Sequence, residues 1–178
     1  MTSYKEKTDL NRGVHTMNLK KLLMLSLVTA VLAVSVPCFA QIAPENMVVG
    51  GLYIGQSYSD VMLIYDKPSG ELKYPAGAGR VFSFVENGTD FNVRFINDKL
   101  ASVEITEKNT LATKAGIRIG STVKEVKKAY GKPDEEHTMG NEYAMDYKHY
   151  TGENHTWILS FRFKDGKVFR IELDDIYG

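Results

Sequence analysis

The chain has 178 residues, with 22 Lys and Arg against 22 Asp and Glu, 43% hydrophobic residues and one cysteine. Balanced charge excludes a strongly basic nucleic-acid binder, and the apolar fraction excludes a disordered chain. A single cysteine excludes an internal disulfide and a cysteine-built metal centre.

The first feature along the chain is an export signal. Lys20 and Lys21 precede an apolar run over 22–36, followed by Pro37, Cys38, Phe39 and Ala40. A short basic region, an apolar stretch too short to span a bilayer and a small residue at the cut describe a secretory signal peptide. Met17 stands where such a signal begins, which makes the polar residues before it an upstream start. Pro37 occupies the position where a lipoprotein signal needs a small residue, so Cys38 is not expected to carry lipid. Cleavage after Ala40 leaves residues 41–178 without cysteine. It removes Lys5, Lys7, Arg12, Lys20 and Lys21 together with Glu6 and Asp9, leaving 17 basic against 20 acidic residues, a formal charge of −3. The expected location is therefore exported, periplasmic or extracellular, with no membrane span after cleavage. A cysteine-free domain of that size depends on its core alone.

The most informative pattern is a self-match. Residues 51–68 (GLYIGQSYSDVMLIYDKP) align without gaps on residues 116–133 (GIRIGSTVKEVKKAYGKP), with 7 of 18 positions identical. A second block follows, 93–105 (VRFINDKLASVEI) on 161–173 (FRFKDGKVFRIEL), at an offset of 68 against 65 for the first. Two blocks in one order at nearly one offset imply two copies of a small unit, 41–112 and 113–178.

Each copy opens with a short helix. Ser57 with Asp60, and Thr122 with Glu125, have capping-box spacing. Val123, Val126, Ala129 and Tyr130 form the expected inward stripe of the second helix, with Lys124, Glu125, Lys127 and Lys128 outward. Gly131 suits the residue of positive φ that ends a helix, and Pro133 forbids continuation. Asp66 holds that place in the first copy and tolerates the conformation less well, so that end is expected to be weaker or differently shaped. The Gly-rich stretch 70–79 reads as a flexible connection, and Asp134 to Glu136 as a plain loop.

Strands are expected at 81–86, 91–96 and 100–106, and again at 142–150, 156–164 and 167–174. Alternation puts Trp157, Leu159, Phe161 and Phe163 on one face, and Phe169, Ile171 and Leu173 must join them. A plain two-residue turn at Asp165-Gly166 would set Arg170 opposite Phe161, inside the core. A longer loop with Gly166 in a bulge sets Ile171 there instead, and is the expected register. The fold class is α+β, a capped helix on an antiparallel meander in each copy, with one face covered and one polar.

The pattern at 116–133 followed by a meander resembles the β-lactamase-inhibitor-protein-like superfamily, which includes the SmpA/OmlA-type outer-membrane assembly lipoproteins. The tandem arrangement is more similar to the inhibitor proteins, and the resemblance implies two units forming one continuous sheet. The chain departs from those relatives in lacking the inhibitors' disulfides and the lipoproteins' modified cysteine. What the resemblance implies is an exported protein-binding surface on the open sheet face, not a specific inhibitory activity.

No residue pattern points to catalysis. There is no Gly-x-Ser-x-Gly elbow and no phosphate loop. The acid pairs Glu135-Glu136 and Asp174-Asp175 read as solvated element ends, and no cofactor is implied. Of the histidines, His149 and His155 with nearby acids are the ones weighed as metal ligands. They lack helical spacing and counterparts in the first copy, so no metal site is assigned. Strand phase places Arg94, Ser102, Glu104, Lys148, Tyr150, Ser160, Arg162, Arg170 and Glu172 on the open face as the candidate partner surface. The expected partner is an exported protein or cell-envelope component. The alternatives are an envelope assembly or structural factor, and a small-molecule or metal binder using the Tyr/His-rich strand at 142–150.

Overall fold

The computed structural model describes residues 41–73, 79–86, 89–106, 108–152 and 154–177. All lie in the second of the two units into which the chain divides, 39–178. The expected signal at 1–40, the Asn87-Gly88 turn and Glu153 fall outside the described residues.

Two eight-residue helices form where the caps stand, α1 (Tyr58–Tyr65) and α2 (Val123–Tyr130). The Asp60 amide donates to Ser57 Oγ at 3.2 Å, and the Glu125 amide donates to Thr122 Oγ1 at 3.3 Å. Only α2 closes the full box, with Glu125 Oε2 accepting from the Thr122 amide at 2.7 Å. Asp60 is one methylene shorter than Glu and instead accepts the Ser57 hydroxyl at 2.5 Å. Both helices exit through a residue of positive φ, Asp66 (φ 59°, ψ −143°) and Gly131 (φ 79°, ψ −147°). The first end therefore has the same shape as the second, and Asp66 carries the strain of a conformation that favours glycine. The inward stripe of α2 is Val126 with the partly buried Val123 and Tyr130, whereas Ala129 is exposed and does not join it.

Eight strands follow: β1 (Gly70–Lys73), β2 (Arg80–Glu86), β3 (Thr89–Ile96), β4 (Lys99–Ile105), β5 (Glu135–Met139), β6 (Glu142–Gly152), β7 (His155–Lys164) and β8 (Lys167–Tyr177). They pair antiparallel throughout, in the order β1-β2-β3-β4-β8-β7-β6-β5. That order reads the same from either edge, with the β4–β8 pairing at its centre. Phe82, Val93, Val103, Leu173, Leu159 and Tyr147 lie directly opposite one another across six strands and are all buried. This face holds both helices. Tyr58 packs on Phe82 and Phe95 at 5.1 and 5.3 Å between ring centres, and Tyr130 packs on Tyr147 and Phe161 at 5.3 and 5.4 Å. Val61 and Val126, both fully buried, each contribute about 1.5–3 kcal/mol of apolar burial.

Helix and hairpin dock through one set of contacts in each half. Gly55 and Gly120 donate to the Leu100 and Val168 carbonyls at 2.8 and 2.7 Å, and these residues return bonds to Gln56 and Ser121, both at 2.8 Å. Ser57 bridges Lys99 as Thr122 bridges Lys167.

Phe161 stands opposite Ile171 as expected, but the extra residue lies elsewhere. The turn has two residues, Asp165 and Gly166, both with positive φ (51° and 73°), and the register shifts inside the strand pair. Arg162 faces Arg170 and Phe163 faces Val168, which leaves Phe169 as the bulged residue. Val168, not Phe169, fills the core. The β3–β4 hairpin repeats this at Ala101, between the Arg94–Ser102 and Phe95–Leu100 pairs. The physical reason is parity: Leu100 and Val103, like Val168 and Ile171, are three residues apart and would face opposite sides without one extra residue between them.

Two strands appear where loops were expected. In the Gly-rich stretch, residues 70–73 pair with β2, where Arg80 Nε donates to Glu71 at 2.9 Å and its guanidinium lies 4.8 Å from the centre of the Phe82 ring. β5 is exposed at all five residues and is held by its pairing with β6, by side-chain contacts to Asp146 and Lys148 across that pairing, and by Lys127 of α2. A strand lying beyond the helix-covered core buries nothing, so it carries no apolar alternation.

Candidate binding face

The sheet face opposite the helices is built by the alternate residues of each strand. One row crosses all eight strands: Gly70, Ser83, Asn92, Glu104, Glu172, Ser160, Asp146 and Glu135. A parallel row runs through Leu72, Val81, Arg94, Ser102, Asp174, Ile158 and Lys148. A third runs through Arg170, Arg162, Ala144 and His137. With Tyr150, which faces Thr156, the nine residues expected from strand phase all fall on this one face.

Its charges are organised around the central strand pair. Glu104 and Glu172 stand directly opposite each other, a repulsive arrangement if left alone. Arg170 lies between them, 3.5 Å from each carboxylate, and Arg162 Nε donates to Glu172 at 2.9 Å. That bond is the main reason the Arg162 guanidinium is held more firmly protonated than usual. Arg94 lies 3.5 Å from Asp174. Burial pushes the Asp174 carboxyl above the ordinary carboxylate range, against the opposing pull of Arg94. Toward β5, Lys148 contacts Glu135, and Asp146 accepts the Ser160 hydroxyl at 2.6 Å and meets His137 Nε2 at 3.0 Å. The Glu135 carboxyl is held low by the Lys148 ammonium, chiefly through their hydrogen bond.

The arrangement is thus a mutually neutralised network, with side chains as little exposed as Asp146 (14%), Lys148 (15%) and Glu172 (19%). Beside it lies an uncharged area. Tyr150 is 60% exposed and Ile176 45% exposed, both facing Thr156 from either side, with Ile158 two residues along β7.

Ile176 lies beyond the expected strand because β8 runs three residues past 174, to Tyr177, whereas Asp174 lies inside it and is a paired strand residue rather than a solvated element end. The acid pairs also separate by strand alternation. Glu135 faces the open side, while Glu136 on the helix side bonds Lys127 at 2.9 Å and accepts the Tyr143 hydroxyl. Asp174 pairs with Arg94, and Asp175 with His155 at 3.2 Å. His149 Nδ1 lies 3.1 Å from the Ile42 carbonyl and its ring rests by Trp157, away from any carboxylate triad. Among the described residues the histidine that joins two carboxylates is His137, with Glu135 and Asp146. No described helix is long and apolar enough to cross a membrane.

No protein-family model and no curated protein matches the chain. Solved structures similar to it include a DUF4309 family protein, YjgB, from Bacillus subtilis (18% identity, TM-score 0.44, covering 71% of this chain and 83% of that one). An extracellular protein containing an SCP domain from Bacillus anthracis matches at 10% identity and TM-score 0.47, over 76% of this chain and 46% of that one. A candidate β-lactamase inhibitor protein from Streptococcus mutans matches at 16% identity and TM-score 0.31, over 64% of this chain and 79% of that one. At these levels none carries an argument about function. The α+β class stands on the chain's own registers.

Proposed function

We propose that the chain is an exported, non-catalytic protein-binding module made of two copies of one unit, 41–112 and 113–178, with the open sheet face as its contact surface. The partner class this favours is another exported protein or a cell-envelope component.

The observation that carries the reading is the open face itself. No described element covers it, yet its central charges are already paired with one another. A partner settling there would bury charges that bring their own counter-ions, which lowers the desolvation cost of docking relative to unpaired ones. Tyr150 and the arginines are residue types that interfaces favour. The palindromic strand order and the recurring helix–hairpin contacts support the duplication, and the resemblance to the inhibitor-like superfamily supports a protein partner.

The test uses the exposed apolar area, which can be changed without disturbing the network. Immobilised protein would be used to capture partners from extract of the cells that export it, alongside a Tyr150→Ala/Ile176→Ala variant checked for an unchanged melting temperature. The variant should retain less than about one tenth of the capture, the loss expected when an interface anchor is removed. Equal capture by the two proteins would take this face out of the reading.

A further inference from the structure

We propose that Glu135, His137 and Asp146 form a binding site for a divalent transition ion of the zinc class, presented on the open face at the β5 edge of the sheet. The proposal does not depend on the protein-binding reading.

The three ligating atoms lie within 4.8 Å of one another. Backbone pairing fixes their placement: Glu135 is directly opposite Asp146, and His137 follows Glu135 by two residues on the same face. One imidazole nitrogen and two carboxylate oxygens, with open positions for water, suit an ion of intermediate softness. His137 Nε2 and Asp146 Oδ2 are 3.0 Å apart. Two donors each bonded to zinc at 2.0–2.1 Å in tetrahedral geometry stand about 3.3 Å apart, so this edge needs only a small opening. Glu135, with more than half of its side chain exposed, closes the wider one by swinging inward as it exchanges the Lys148 ammonium for the ion. Asp146 is also oriented from behind, because its second oxygen accepts the Ser160 hydroxyl at 2.6 Å, the outer-shell support that ligating carboxylates receive. Opposite His137 is Ala144, whose small side chain leaves the imidazole uncovered.

The other half of the molecule is an internal control. Counting outward from the β4–β8 centre, the positions of Glu135, His137 and Asp146 are held there by Gly70, Leu72 and Ser83. All three lack a ligating imidazole or carboxylate. The fold therefore does not require the triad, and it belongs to one half alone. In the metal-free protein the cation in this place is the Lys148 ammonium, in contact with Glu135. Metal binding displaces that ammonium, and any proton on His137 Nε2.

Calorimetric titration of the tag-free protein with Zn²⁺ at pH 7.5 tests this. The expected result is one saturable site, weakened at least about tenfold by His137→Ala and by Asp146→Asn, and tightened by Lys148→Met because the competing cation is gone. Imidazole nitrogen spectra of the wild-type protein provide a readout independent of how the variants fold. The His137 ring should shift with Zn²⁺ while the His149 and His155 rings do not. Absence of saturable binding below millimolar Zn²⁺, binding unchanged by His137→Ala, or a shift at His149 or His155 instead would each overturn the assignment.

Discussion

The two helices occupy equivalent places and present opposite surfaces. α1 (YSDVMLIY) and α2 (VKEVKKAY) share a hydroxyl cap, an inward Val, a terminal Tyr and an exit through positive φ. Outward they part: Leu63 is 85% exposed and Ile64 50% exposed, where α2 has Lys128 and Ala129. The shared Val61/Val126 and Tyr65/Tyr130 face the sheet, joined there by Tyr58 in one helix and Val123 in the other, while the exposed sides have little in common. The inward residues are thus sufficient to fix a helix of two turns, which has no stability of its own in water. The same division holds in the sheet, where both halves bury one row of apolar residues and only one carries the Glu135–His137–Asp146 group.

The largest expected effect tests whether the halves share one core. Phe95 and Phe163 are buried at the two bulges, each facing the apolar residue that its bulge turns inward. Phe95→Ala and Phe163→Ala should each cost about 3–5 kcal/mol in denaturant melts. Both should lower a single transition, because β4 and β8 join the halves. Two separate transitions, each moved by one variant, would break the comparison.

A smaller difference lies at the terminal tyrosines. Tyr65 donates its hydroxyl to the Gly50 carbonyl, and burial followed by the nearby Glu86 pushes its pKa up to about 12. The Tyr130 hydroxyl is buried with Thr113 and the Ala115 backbone nearby but not at hydrogen-bond geometry, and burial raises its pKa too. Tyr65→Phe should therefore cost about 1–2 kcal/mol in equilibrium unfolding, and Tyr130→Phe less than about 0.5 kcal/mol. Equal costs would mean that the two hydroxyls are equally satisfied.

At the helix exits the prediction changes sign. Asp66→Gly should raise stability by about 1 kcal/mol, since relief of the strained φ outweighs the entropy that glycine adds to the unfolded chain. Gly131→Ala should lower it by a similar amount despite open space around the added methyl.

The caps give the smallest effect, read through pH. The Glu125 carboxyl is held below its ordinary range by the Thr122 amide and then by the Thr122 hydroxyl. A lowered folded-state value means stabilisation that is present above the ordinary carboxylate pKa and lost as pH falls through the folded one. Glu125→Gln should flatten the acid side of the melting-temperature profile below about pH 4.5.

How far the sequence reveals this molecule follows from what each signal depends on. Caps, exits and six of the strands rest on local spacing, and Ser57, Thr122, Phe161 and Leu173 take the places that spacing requires. The Phe169 bulge was half legible: the apolar pattern demands an extra residue, but whether loop or strand holds it depends on the turn at Asp165-Gly166. β1 and β5 were not legible, because an edge strand with nothing to bury shows no alternation. That failure also hid the triad, since Glu135 and His137 meet Asp146 only once β5 is paired. The nine open-face residues were readable from strand phase alone, while their network through Asp174 and Asp146 needed the cross-strand register.

The open sheet face is the proposed working surface, and a contact made in the cell tests it. The most direct measurement places a photo-crosslinking residue at position 150 on that face and, separately, at position 124 on the exposed side of α2, in cells that export the protein. A discrete adduct from position 150, with none from position 124, is the predicted result. Adducts from position 124 alone would place the contact on the helix side and contradict the account.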